Sequence, residues 1–234
     1  MLDFAITAWC AWSPDRPRRE DWLSWAGCDG TGVEPVPSRP VPVALRRRVA
    51  PLGQQALRLA WGLPETAASR LVLASRHGDF TRTLGLLTAL AADEPLSPAE
   101  FSLSVHHALI GLLSIATENR GGHTAVAAGP DSFAYGLLEA AACLRDQPDQ
   151  PVTLIYCDQP LPPPFDPFSA GEEPLAVVLT LAAPAAGHAT VTMAIEPTGG
   201  APDSPSLAFL RFLLSGAATA TCAGSRHSWA WQHA

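Results

Sequence analysis

One stretch of this 234-residue sequence has the pattern of a reactive turn. Residues 124–128 (TAVAA) read as a short strand, 129–132 (GPDS) as a tight turn, and SFAYGLLEAAACLR as a helix that is apolar or small nearly all round. A residue at such a turn sits over a helix N-terminus, whose free N–H groups and dipole stabilise an anion or lower a thiol pKa. Ser132 is the hydroxyl there. It becomes a nucleophile only with a base within about 3 Å, and His106 and His107 are the candidates. The alternative is structural: Asp131 or Ser132 caps the helix by accepting its first N–H groups.

Other chemistries leave no trace. The seven histidines have no metal-ligand spacing, since His106 and His107 are adjacent and no H-x-x-x-H occurs, so neither a metal nor a cofactor is expected. There is no G-x-S-x-G elbow and no G-x-G-x-x-G after a strand. All 15 basic residues are Arg. A guanidinium does not deprotonate, so in-chain Schiff-base chemistry is excluded, and so is a P-loop, which needs Lys on the phosphates. An Arg-favouring codon usage would account for the missing Lys without any functional cause.

The net charge of −7 argues against a nucleic-acid partner. No apolar run approaches the roughly 18 residues of a membrane span. The first residues lack the positive region of a signal peptide. Five cysteines without a C-x-x-C read as reduced, mostly buried thiols. These features predict a cytoplasmic protein.

The elements that must position the turn are legible from periodicity. Strands are expected at 3–11, 70–75, 124–128, 152–157, 175–182 and 190–196. Helices are expected after Arg46–Arg48, where Leu52, Ala56, Leu59 and Ala60 share a face, and at 81–92, 104–115, 132–145 and 206–214. In 104–115, Val105, Ala108, Leu109, Leu112 and Leu113 form an apolar face, while His107, Gly111 and Ser114 lie on another and suggest a tight packing or polar contact. The Pro-rich stretch 13–44 reads as irregular and the last residues as a polar tail with Trp and His. Strands alternating with helices through residue 182 argue an α/β layered sheet with buried central strands and a buried central helix.

Three motifs acting together carry a resemblance: S-R-H-G at 75–78, S-V-H-x-A-x-x-G at 104–111 and A-x-G-x-D-S-F at 127–133. With the Arg-rich RRRVAPLGQQALRLA, they resemble the β-ketoacyl synthase N-terminal-like family. Within it they are similar to the short chain-length-factor subunits of bacterial aryl polyene gene clusters. The resemblance spans 3–182 of a single domain, 1–234, and is strongest over 45–145; the strand, helix and tail of 183–234 look atypical. It implies the N-terminal half of a thiolase-like fold.

In active members a Cys in a T-A-C-x-S-like run takes the acyl chain as a thioester. Here that position falls on Gly129. Cys143 lies about three turns along the helix, too far to substitute. Nothing matches the His pair and Lys of the family's second half; His188 and His227 stand in unrelated contexts. The resemblance therefore implies a non-catalytic, chain-length-factor-type partner of a full-length β-ketoacyl-ACP synthase, acting as a heterodimer in fatty-acid/polyketide-type aryl polyene biosynthesis. His106, His107, Gly111, Gly129, Asp131 and Phe133 become acyl-tunnel or interface candidates. Two alternatives stand beside it. One is a stand-alone acyltransferase or degenerate ketosynthase using Ser132. The other is an acyl-carrier-protein docking module in which Arg16, Arg18, Arg19 and Arg46–Arg48 form a basic patch.

Overall fold

A computed structural model describes residues 1–28, 40–63, 65–185, 190–197 and 199–233 of the chain. His188 lies outside the described residues. The strands are β1 (Leu2–Trp12), β2 (Arg70–Ala74), β3 (His123–Val126), β4 (Val152–Asp158), β5 (Leu175–Ala182), β6 (Thr190–Pro197), β7 (Thr219–Ala223) and β8 (His227–His233). The helices are α1 (Arg19–Trp25), α2 (Val43–Arg46), α3 (Pro51–Gly62), α4 (Phe80–Ala91), α5 (Pro98–Ser104), α6 (His107–Ala116), α7 (Ser132–Asp146) and α8 (Pro205–Ser215).

All eight strands join one sheet in the order β3-β2-β4-β5-β1-β6-β8-β7. β3, β2 and β4 are parallel, and every other pair is antiparallel. The parallel trio follows from its connections: helices lie between β2 and β3 and between β3 and β4, as parallel crossovers require. β4 and β5 are nearly continuous apolar runs because both faces of the sheet are covered at its centre.

Alternation along each strand divides the core. Val72, Leu154, Val177 and Leu179 face α7 and α8. Leu71, Leu73, Ile155 and Val178 face α3 and α6. β1 keeps Phe4 and Trp9 in the first layer, although they are an odd five positions apart, because its register slips between Ile6 and Ala8. α7 is the buried central helix: Phe133, Ala134, Gly136, Leu137, Ala140 and Ala141 are all shielded. At Gly136 the helix touches the sheet, where an added Cβ would lie 2.5 Å from the Ala74 Cβ and 3.0 Å from Leu154 Cδ1.

Three expectations are corrected. The stretch 13–44 is not wholly irregular: α1 forms within it and buries Trp22 and Leu23. Two prolines close ahead of a seven-residue helix hide its periodicity in the sequence. The polar tail is a hairpin, β7–β8, in which Trp229 and Trp231 are fully buried. Helix 104–115 begins at His107, after α5 and a bend of 96°. Its buried residues are Ile110 and Leu113, whereas Val105 points to solvent. Among the described residues no single helix is long and apolar enough to cross a membrane.

Candidate functional site

The parallel trio brings the carboxyl ends of β3, β2 and β4 together, the place where open α/β sheets form their crevice. The chain leaves β3 and turns at Gly129, whose φ of +61° is the left-handed conformation that favours glycine. One turn of 3-10 helix, Gly129–Asp131, then leads into α7. A Cβ built on Gly129 would meet nothing within 4 Å. Gly129 and Pro130 border a cavity of about 540 Å³ that also takes in Arg76, Tyr156, Asp158 and Glu172.

Neither polar residue of the turn caps α7. The buried Ser132 hydroxyl donates to the Gly129 carbonyl at 2.7 Å and accepts the Ala128 N–H at 2.9 Å, so it ties the turn to itself. Both partners are backbone; neither His106 nor His107 is among them. The buried Asp131 carboxylate instead accepts the Ser225 N–H at 2.9 and 3.1 Å and the Ser225 hydroxyl at 2.6 Å. It thereby fastens the head of α7 to the β7–β8 turn, where Gly224 is so tight that an added Cβ would lie 2.6 Å from Asp131 Oδ1. Phe133 is buried edge-to-face against Tyr156, with centroids 5.5 Å apart, and beside Phe209 at 5.7 Å.

The histidines lie elsewhere. The His106 ring packs over Gly78 and lines a separate apolar cavity of about 60 Å³ with Leu52, Leu73 and Leu109; its Nε2 is buried without a partner among the described residues. His107 is exposed, its ring centroid 4.9 Å from that of His123 at the sheet edge. Burial, then the neighbouring His107 and Arg70, hold the His123 pKa below its ordinary value. Gly111 is not a close-packing point, since an added Cβ meets nothing within 4 Å. Ser114 donates to the Asn119 carbonyl. Cys143 sits beside Glu139, far from the turn, with its thiol pKa raised by burial and that carboxylate.

The polar centre of the crevice was not singled out from the sequence, although it is built on the S-R-H-G motif. Asp158, buried at the end of β4, accepts the Ser75 hydroxyl at 3.0 Å and the N–H groups of Arg76 and His77 at 2.6 and 3.0 Å. Ser75 Oγ in turn accepts the Gly78 N–H at 2.9 Å. Glu172 pairs with the Arg76 guanidinium and with His77 Nε2. Only Y-C-D at the end of a strand pointed to Asp158; Glu172, in a loop, carried no signal.

Burial raises the Asp158 pKa, and the hydrogen bonds oppose this without cancelling it. A carboxyl whose folded pKa lies above its unfolded value contributes stability in full below the unfolded range, about pH 4. That contribution is lost as pH rises through the raised value. Asp158→Asn removes this dependence. In urea unfolding between pH 4 and 7, the wild type is expected to lose stability relative to the variant as pH rises. A wild type that gains on the variant over that range contradicts the assignment.

Sheet, buried helix and turn define an α/β layer fold whose strand-to-helix elbow carries Gly129. The chain belongs to the beta-ketoacyl synthase, N-terminal domain family, whose family model matches residues 22–232 and so takes in the β7–β8 hairpin. No curated protein matches it. Among solved structures, it is similar to a chain of the ketosynthase (ApeO) in complex with its chain length factor (ApeC) from Xenorhabdus doucetiae. Identity is 25%, the TM-score is 0.84, and 99% of this chain and 100% of that chain are covered. Two other structures share the fold. One is the ishigamide ketosynthase/chain length factor, with 17% identity and a TM-score of 0.59 over 84% of this chain and 68% of that one. The other is the AntDE:AntF complex of a type II PKS acyl-carrier protein with its ketosynthase, with 12% identity and a TM-score of 0.65 over 88% and 71%.

Proposed function

We propose that this chain is a non-catalytic, chain-length-factor-type subunit that pairs with a full-length β-ketoacyl-ACP synthase, in the cytoplasm, in aryl polyene biosynthesis. One observation carries the reading: the elbow that would present an acyl-accepting thiol presents Gly129, and its remaining hydroxyl, Ser132, is engaged by backbone on both sides. Without a nucleophile no acyl-enzyme forms. The similarity over full length to a chain of a ketosynthase–chain length factor complex supports the pairing. The exposed Arg46–Arg48 run is what remains of the basic patch for a carrier protein, because Arg16 stacks on Trp22 and Trp25, Arg18 pairs with Asp21 and Arg19 stacks on Trp9.

The test is co-expression with a full-length β-ketoacyl-ACP synthase of the same organism, followed by size-exclusion chromatography. A single heterodimer peak is expected; two separate species overturn the reading. A mechanism-based acyl probe is expected to label the ketosynthase and not this chain. An adduct here that disappears in Ser132→Ala establishes the acyltransferase alternative instead.

Gly129→Cys sharpens the point. The side chain has room, at a cost of about 1–2 kcal/mol for a non-glycine residue in the left-handed region. Native alkylation is expected to add one labelled site relative to wild type, with no condensation activity gained by the isolated chain. Activity from Gly129→Cys alone contradicts a non-catalytic subunit.

A further inference from the structure

β7 is the outermost strand at its end of the sheet and pairs only with β8. Its Ala223 carbonyl accepts the Asp203 N–H at 3.0 Å, so the backbone at Ala223 faces away from β8. Alternation turns Thr221 and Thr219 the same way. Among the described residues neither finds a backbone partner on that side. An open edge is ordinarily blunted by proline, a charged side chain or a bulge. T-A-T-C-A carries no proline and no charge, and its register against β8 runs unbroken. Beside this edge lies a cavity of about 470 Å³. One stripe of α8 lines it, with Leu207, Arg211 and Ser215 at i, i+4 and i+8 and the buried Phe212 next to them. Ala220 and Thr221 of β7 and Trp25 of α1 complete the lining used here. A groove between a helix and a free strand edge is thus built into this end of the molecule.

We infer that this groove takes an extended, acidic segment of a partner protein, which adds to β7 as a further strand of the sheet. In this mode main-chain hydrogen bonds give affinity and pockets for alternate side chains give specificity. Here the bonds go to Thr219 and Thr221. Charge selects the occupant. The chain carries a net −7, yet residues 204–234 contain no Asp or Glu, and their charged side chains are Arg211 and Arg226. Arg211 is exposed, whereas Arg16 is half-buried. The Arg211 guanidinium lies over the Trp25 ring, 4.5 Å from its centroid. Stacking uses the face of the guanidinium and leaves its N–H edge for a carboxylate. No carboxylate of the described residues pairs with it. The acid that lines the cavity is Asp203, at its end, and that carboxylate accepts the Ser204 N–H. An aspartate or glutamate on the added strand meets Arg211, and an apolar residue two positions away, on the same face, meets Phe212. A second copy pairing through β7 brings another Arg211 and Arg226 and no acid, so like charges oppose it. The inference does not rest on the elbow or on the ketosynthase pairing.

The probe is a fluorescein-labelled peptide of alternating valine and glutamate, about six residues long to match β7 at roughly 3.3 Å per residue. Fluorescence anisotropy with the full chain is expected to show saturable binding below about 1 mM. The same peptide with glutamine for glutamate is expected to bind roughly tenfold more weakly or worse, as for the loss of a charge-assisted contact. Arg211→Gln is expected to weaken the glutamate peptide by a similar factor, while Arg145→Gln, an exposed charge on α7, leaves it unchanged. Thr221→Pro removes an N–H that faces away from β8, where an edge strand tolerates proline, so the variant is expected to melt near wild type and to lose the peptide. Amides of Thr219 and Thr221 are expected to exchange fast in the free chain and to slow when the peptide is bound. No saturable binding, equal binding of the glutamine peptide, or Arg211→Gln and Thr221→Pro variants that bind like wild type each overturn the inference. Slow exchange of both amides in the free chain means that the edge is already covered and overturns it. A wild-type self-dimer that Thr221→Pro splits assigns the edge to a second copy and overturns it equally.

Discussion

Trp229→Ala is expected to cost about 3–5 kcal/mol, the usual range for emptying a buried aromatic site. Trp229 is fully buried on β8, edge-to-face with Tyr135 of α7 at 4.9 Å. The hairpin that carries it is held from α7 by Asp131, whose carboxylate accepts both donors of Ser225. Removing the indole opens a void between the last strands and the central helix, at the point where the helix begins. Against a total stability of about 5–15 kcal/mol, the loss is a large share. Urea unfolding by far-UV circular dichroism measures it, with the exposed neighbour Gln232→Ala as a control near zero. A Trp229→Ala midpoint equal to wild type would mean that the tail does not belong to the sheet.

Gly136→Leu is expected to be damaging for the opposite reason. At Gly136 even a single Cβ falls 2.5 Å from the Ala74 Cβ. A leucine must push α7 off β2 and β4, and that displacement moves the Gly129 turn with it. Overpacking of this kind costs typically about 1–3 kcal/mol and occasionally more, and the variant is expected in the insoluble fraction on expression. Gly111→Ala is the matched comparison. It lies inside α6 with nothing within 4 Å of the new Cβ, so the intrinsic preference of a helix for Ala over Gly, up to about 1 kcal/mol, is expected to raise the melting temperature. If Gly136→Leu folds and melts like wild type, the close approach of helix and sheet is wrong.

The central elements were readable one by one. The predicted strand 175–182 is β5 residue for residue, and 152–157 and 190–196 are each one residue short of β4 and β6. These strands are long apolar or alternating runs, whose pattern needs no partner to be seen. α1 and the β7–β8 hairpin were missed because they are short and their few large apolar residues stand among polar or small neighbours. Such residues become core only when α7 and α8 supply the other wall. The same limit applies to the turn. Sequence pattern offered Asp131 and Ser132 as caps. Asp131 is in fact taken up by a residue 94 positions away, and Ser132 by the loop it closes.

The sequence by itself determined the chemistry that this chain lacks. Gly129 stands where the resemblance places a thiol, no lysine exists anywhere, and no register of folding can create either group. It also determined the period of each long strand and helix, because backbone geometry reads side-chain spacing locally. The tertiary structure alone decided which polar groups meet. Ser75, Arg76, His77, Asp158 and Glu172 span nearly a hundred residues and converge because parallel β2 and β4 end side by side. It likewise decided that α4 and α5 stand clear of the core while the tail does not. Burial is a property of what lies opposite a side chain, and a single sequence records only the side chain.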